Sequence, residues 1–332
     1  MAITRYCAEL LEAASRYHVH YGDRLANHLP MVLIALDKMG ASREQLQQAF
    51  DRSAPLLESP RLPPPNPEVA IGDCRNREQL LPTAIDYYQH QLCQLGIAEC
   101  LRRELPPLLP AIASAAFHPL IRTAYGVDAN HQQEIATGLA YWNLEYRTLP
   151  TCDHRIEVPA AEIPSLLAYR YPTMPAAPGN IAAHMAAVTH QSGWFDTPVQ
   201  PQQLDLQTIA QVALSAYRNS GDFTLLHGVT GCHALRLILS YCTDPEAALR
   251  YFWSGLVIAF LSTNRKRTTG ETPAESMDWG ELRTSACGSR DTHVIKLTYS
   301  CWREEEYYAN PDYRHLAETL LQSQLGSVVE KI

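Results

Sequence analysis

The sequence predicts an all-α protein, a single large multi-helical domain over residues 1–332 with proline-rich connections. Three observations carry this. Apolar residues recur at helical spacing through most of the chain, as in Leu25, Leu29, Val32, Leu33 and Leu36. Sustained β alternation is scarce, and no internal repeat is evident. Prolines cluster in connecting segments, with six in residues 55–67.

The elements follow in order. The run from Leu25 to Leu36 is read as one helix, with His28 on its apolar stripe, stopped by Gly40. Ser42 caps a short helix ending near Phe50. Residues 55–67 form an irregular segment. Helices resume over Arg77–Gly96, Glu99–Leu105, Ala111–Tyr125 and His131–Trp142. Residues 148–178 are proline-rich, with a short helix over Ala161–Tyr169. Further helices cover Ile181–His190, Leu206–Arg218, Gly231–Tyr241 and Asp244–Phe260. A polar loop over 263–278 precedes Trp279–Ala286, Thr292–Trp302 and a last helix from Pro311 to Leu325.

The bulk numbers exclude several classes. With 46% hydrophobic residues, 332 residues can bury a sizeable core. The formal net charge is -8 and the basic residues are dispersed, so no nucleic-acid surface is expected. Nine cysteines without a CxxC pair argue against a disulfide framework or zinc knuckle and for reduced, mostly buried thiols. Met1–Tyr6 lacks a basic and apolar leader, and the apolar stretch Tyr251–Leu261 is too short to span a bilayer. A cytoplasmic protein without membrane contact is expected. There is no GxGxxG, P-loop, HExxH, GxSxG or EF-hand loop.

Histidines carry the chemical signal. There are thirteen. His227 and His233 stand six apart in Leu226-His227-Gly228-Val229-Thr230-Gly231-Cys232-His233. On one continuous helix that offset separates them by about 120°. Gly228 and Gly231 suggest a break, with His227 in a turn before a helix starting near Thr230, so that both rings can face one point. Neutral imidazoles are common metal ligands; the alternative is packed histidines satisfied by hydrogen bonds. His28 and His118 also lie in apolar runs, where an imidazole needs partners. Pro119 follows His118, either re-aiming a helix or starting one. Arg122 is one turn on.

Asp291, His293 and Lys296 form a third cluster. If Lys296 is buried, desolvation frees its amine to act as a base or to take up carbon dioxide as a carbamate; the alternative is a snorkelling lysine. His184 is a candidate pocket wall, His190 a helix C-terminal cap, and His18 with His20 a surface pair. Cys287 is read as an inert thiol.

Taken together, Asn27-His28-Leu29-Pro30-Met31, Ala115-Ala116-Phe117-His118-Pro119-Leu120-Ile121-Arg122, Gly138-Leu139-Ala140-Tyr141-Trp142, Leu226-His227-Gly228-Val229-Thr230 with His233-Ala234-Leu235-Arg236, and His293-Val294-Ile295-Lys296 resemble the questin oxidase-like family. The pieces span nearly the whole chain in a consistent order. The resemblance implies a mostly helical oxygenase of anthraquinones and related polycyclic aromatics, with Baeyer–Villiger-like or ring-opening steps. It implies a non-haem Fe(II) centre held by His28, His118, His227, His233 and a carboxylated Lys296, with dioxygen as co-substrate. Arg122 or Arg236 would hold a phenolate or carboxylate of the aromatic substrate. Phe117, Tyr125, Tyr141 and Trp142 would form apolar walls. This chain looks shorter than the fungal members between Tyr146 and Ile181 and after Lys296, which bears on pocket shape. Two other classes fit the same residues: a metal-free binding protein for apolar aromatics, and a zinc-type hydrolase.

Overall fold

The computed structural model describes residues 2–172, 178–263 and 277–329. The expected polar loop over 263–278 lies almost wholly outside the described residues, as does part of the proline-rich segment 148–178. Among the described residues the fold is all-α as expected. Its helices are α1 Arg5–Ala14, α2 Leu29–Met39, α3 Arg43–Ser53, α4 Leu81–Glu104, α5 His118–Ala129, α6 Gln132–Leu144, α7 Ile163–Arg170, α8 Ile181–Val188, α9 Leu206–Ser220, α10 Phe223–Ile238, α11 Pro245–Leu261, α12 Trp279–Cys287, α13 Thr292–Tyr308 and α14 Asp312–Val329. Two strand pairs are short: β1 His20–Tyr21 with β2 Leu25–Ala26, antiparallel, and β3 Cys152–Ile156 with β4 Pro198–Pro201, parallel. No helix among the described residues is long and apolar enough to cross a membrane. All nine cysteines are unbridged and most are buried.

The chain divides into two compact units. The first comprises Met1–Arg61, Asp128–Glu134 and Thr269–Ile332; the second comprises Leu62–Val127 and Ile135–Thr268. The first passage between them, at Arg61–Leu62, falls inside residues 55–67, where prolines without backbone donors suit a connection.

In the first unit α13 packs against α14, α2 and α12, and α2 against α1 and α3. Residues Val294 to Trp302 of α13 are all buried. A helix buried on every side needs polar partners, and Tyr299 donates to Asp128 at 2.5 Å while Lys38 pairs with the same carboxylate at 3.4 Å. The Ser42 cap is present as a reciprocal capping box with Gln45.

Two sequence expectations need correction here. The helix expected from Leu25 starts at Leu29: Leu25 belongs to β2 and is exposed, and His28 is the N-cap residue rather than part of a helical stripe. Pro30 in the first turn sets that start. His18 and His20 are not a surface pair. Both are buried with rings 5.6 Å apart, because the hairpin tucks them inward and Glu58 accepts from the His18 backbone N–H at 2.7 Å.

In the second unit α10 packs against α9 and α11, and α11 also packs against α7, α8 and β4. Tryptophans tie irregular segments to this core. Trp142 Nε1 donates to the Ala111 carbonyl at 3.0 Å, Trp194 to Pro150 at 2.8 Å and Trp253 to Val199 at 2.6 Å. Helix α4 breaks at Gly96, where φ is 72°, close to the interruption expected between Gly96 and Glu99.

Candidate functional site

The five expected ligands fall into two groups. His28 and Lys296 belong to the first unit; His118, His227 and His233 belong to the second.

In the second unit the two glycines do not break the chain. Helix α10 runs unbroken from Phe223 to Ile238 through His227, Gly228, Gly231 and His233. The expectation of a turn before Thr230 is therefore wrong. On one helix the two imidazoles diverge by about 120°. The glycines serve packing instead. A Cβ on Gly228 would stand 2.8 Å from Leu256 Cδ1, and one on Gly231 would stand 3.1 Å from Phe252 and 3.4 Å from Phe117.

The histidines consequently have different neighbours. His227 faces His118, with ring centroids 4.7 Å apart, and carries Phe223 edge-on at 5.0 Å. His233 faces Tyr125 at 6.1 Å and lies 3.4 Å from Arg236 Nη2 through its Nδ1. Nδ1 of His227 meets the Phe223 carbonyl at 2.9 Å, and Nδ1 of His118 meets the Ala115 carbonyl at 2.5 Å. A carbonyl only accepts, so both rings carry a proton on Nδ1, and in the neutral form of each the lone pair sits on Nε2. That is the tautomer in which a histidine ligates through Nε2. At His233 the partner is a guanidinium, which only donates. The contact favours the opposite tautomer, and offering Nε2 as a ligand atom requires giving it up.

His118 opens α5, so Pro119 sits in the first helical turn, the second of the two alternatives. The turn before it is unusual. Ala115, Ala116 and Phe117 have φ of 45°, 54° and 67°. Left-handed backbone costs a residue with a side chain about 1–2 kcal/mol, and such strain gathers at functional sites. Arg122 follows one turn into α5 and is 1% exposed.

The expected pocket walls are all buried in this unit. Tyr125 stands against His233. Phe117 packs on Phe252 with centroids 5.0 Å apart, and Trp142 is held by Ala111. Phe223 escaped the sequence reading. It is half exposed and touches His227; its position four residues before that histidine was the available signal.

In the first unit His28 and His293 meet edge to face at 4.7 Å, and His28 Nδ1 lies 3.2 Å from Thr292 Oγ1. Asp291 caps α13 by accepting from the His293 and Val294 backbone N–H groups. Its carboxyl is pulled down to about 2, chiefly by its hydrogen bond with the His293 side chain. Burial lowers the His293 imidazole, partly opposed by Asp291. Lys296 is fully buried, so the snorkelling alternative does not hold. Burial pushes its amine down to about 7, with Asp291 opposing.

Neutral imidazoles with Nδ1–H tied to a carbonyl suit divalent iron, zinc or copper. The His118–His227 pair fits such a metal as two ligands. Among the described residues no group of three or more His, Cys, Asp or Glu side chains converges on one point. In comparison with known proteins, a family model described as Questin oxidase-like covers residues 25–301. No curated protein matches the chain.

Proposed function

The chain belongs to the questin oxidase-like family, and on that footing we propose that it is an oxidoreductase that uses dioxygen and non-haem Fe(II) to oxidise an aromatic or quinonoid substrate by a Baeyer–Villiger-like or ring-opening reaction. The observation that carries the metal reading is the His118–His227 pair, two imidazoles from different helices, both held in the Nδ1–H tautomer. The ligand roles of His28, His233 and Lys296 rest on the resemblance, as do the wall roles of Phe117, Tyr125, Tyr141 and Trp142.

His118 and His227 would hold the metal through Nε2. When bound, ferrous iron supplies the electron transfer to dioxygen that organic substrates alone undergo slowly. The chain's own side chains and carbonyls would do the rest. The Phe223 and Ala115 carbonyls keep the two Nδ1 protons in place, so neither ring reorients when Nε2 is engaged. Phe223 offers a half-exposed ring to a planar substrate. Arg122 and Arg236 provide fork-shaped donors for a phenolate or carboxylate. His233, whose Nδ1 faces Arg236, would give up that contact when it offers Nε2 as a ligand. Lys296, as the neutral amine its burial favours, acts as a base or adds to carbon dioxide. In that addition an N–C bond forms, one amine proton leaves to water, and an anionic carbamate results.

The test is dioxygen uptake by metal-free protein after adding ferrous iron and a hydroquinone. Uptake that needs iron, stops with a chelator and is lost in His227→Ala supports the reading. Substrate binding without uptake, indifferent to chelator, moves the protein to metal-free binders of aromatics. Hydrolysis without uptake moves it to zinc-type hydrolases.

A further inference from the structure

The backbone before His118 is left-handed at three successive residues, none of them glycine. We infer that this turn, Ala115–Phe117, is a positioning device that fixes the orientation and tautomer of His118, and that Gly231 and Gly255 hold it closed by clamping Phe117. The inference rests on the reading of His118 as a ligand and adds the residues that aim it.

The Ala115 carbonyl accepts twice from His118, once from the backbone N–H and once from Nδ1–H at 2.5 Å. Reversing the hand of the backbone over 115–117 swings that carbonyl back under the ring. Only the smallest side chains suit such a turn, and the sequence places alanine at 115 and 116. Phe117 is the exception and is itself left-handed at 67°. It is fully buried, and helices α10 and α11 close on it. A Cβ on Gly255 would stand 3.2 Å from Phe117 Cε1 and 2.5 Å from the Ala113 Cβ; one on Gly231 would stand 3.4 Å from Phe117 Cγ. Phe252 completes the clamp. A strained turn persists only where its surroundings over-determine it, and this packing does so.

The test uses metal-free, full-length protein and reads the His118 ring by nitrogen-15 NMR, alongside thermal stability and the Kd for Co(II). In the wild type His118 is the Nδ1–H tautomer. Ala116→Gly adopts the same turn without strain, so it keeps that tautomer with a Tm no lower than wild type. Gly255→Ala and Ala116→Val displace the turn. Each gives a mixed tautomer at His118 and a Co(II) Kd raised about 10–100-fold, the range seen when the partner of a metal-bound histidine is lost. The inference is overturned if either variant folds with the wild-type tautomer, or if Ala116→Gly lowers the Tm. Should neither displaced variant fold, the Ala116→Gly result alone decides. Failure of the wild type to bind Co(II) counts against the ligand reading, while the tautomer still judges the turn.

Discussion

His118 and His227 approach with ring centroids 4.7 Å apart, each with Nδ1 against a backbone carbonyl of the turn just before it. The main chain thus holds Nδ1 of both rings. Phe223 lies edge-on to the second ring with half its surface exposed.

Phe223→Ala separates binding from stability. The ring is half exposed, so truncation costs about 1 kcal/mol or less of fold stability. Stacking with a planar substrate is worth about 0.5–1.5 kcal/mol, so KM rises about 2–10-fold with kcat little changed. Steady-state kinetics check this, and an unchanged KM removes Phe223 from the substrate surface.

The two glycines of α10 respond differently to alanine. Gly228→Ala meets the end of the Leu256 side chain, makes an ordinary contact with the Ala213 Cβ and gains helix propensity, so its stability stays within about 1 kcal/mol of wild type. Gly231→Ala meets the rings of Phe252 and Phe117, which are fully buried, and loses about 1–2 kcal/mol. Urea unfolding measures both. A severe loss in Gly228→Ala contradicts a continuous helix.

These glycines also mark where the sequence stops being legible. The helical class, the capping at Ser42, the interruption near Gly96 and the chemistry-bearing histidines all follow from local signals. What Gly228 and Gly231 do depends on α11 and Phe117, which no local pattern reveals; in sequence they read as a break, in the fold as close contacts. His28 was misplaced for a similar reason, because Leu25 continues the apolar spacing yet pairs in a hairpin. The His18–His20 pair looked superficial because alternation over so few residues is too short a signal for a buried hairpin. The left-handed turn before His118 has only Ala115 and Ala116 as a trace.

Lys296 makes stability depend on pH with a definite sign. Its amine is near 7 in the fold against 10.5 ordinarily. The unfolded chain therefore binds the extra proton between these values. Stability is greatest above about 10.5 and is lost as pH falls toward about 7, by at most about 1.4 kcal/mol per pH unit. Lys296→Met flattens the Tm profile across that window. A profile that is the same in both proteins contradicts a buried neutral amine.

Glu104 gives the opposite trend. Burial raises its carboxyl, which accepts from Tyr87 at 3.0 Å. The folded chain holds the proton more tightly, so this contribution is full at acid pH and is lost as pH rises through the raised value. Glu104→Gln keeps the acceptor and removes the charge. Its Tm advantage over wild type grows as pH rises from the ordinary carboxyl value of 4.5 through the raised one; a constant difference contradicts the assignment.

The most direct test of the metal reading is an anaerobic titration of metal-free protein with Fe(II), in the wild type, His118→Ala and His227→Ala. The wild type is expected to bind saturably and each variant at least about 10-fold more weakly, with all three folded. Absent binding in the wild type, or equal affinity in all three, contradicts the metal reading.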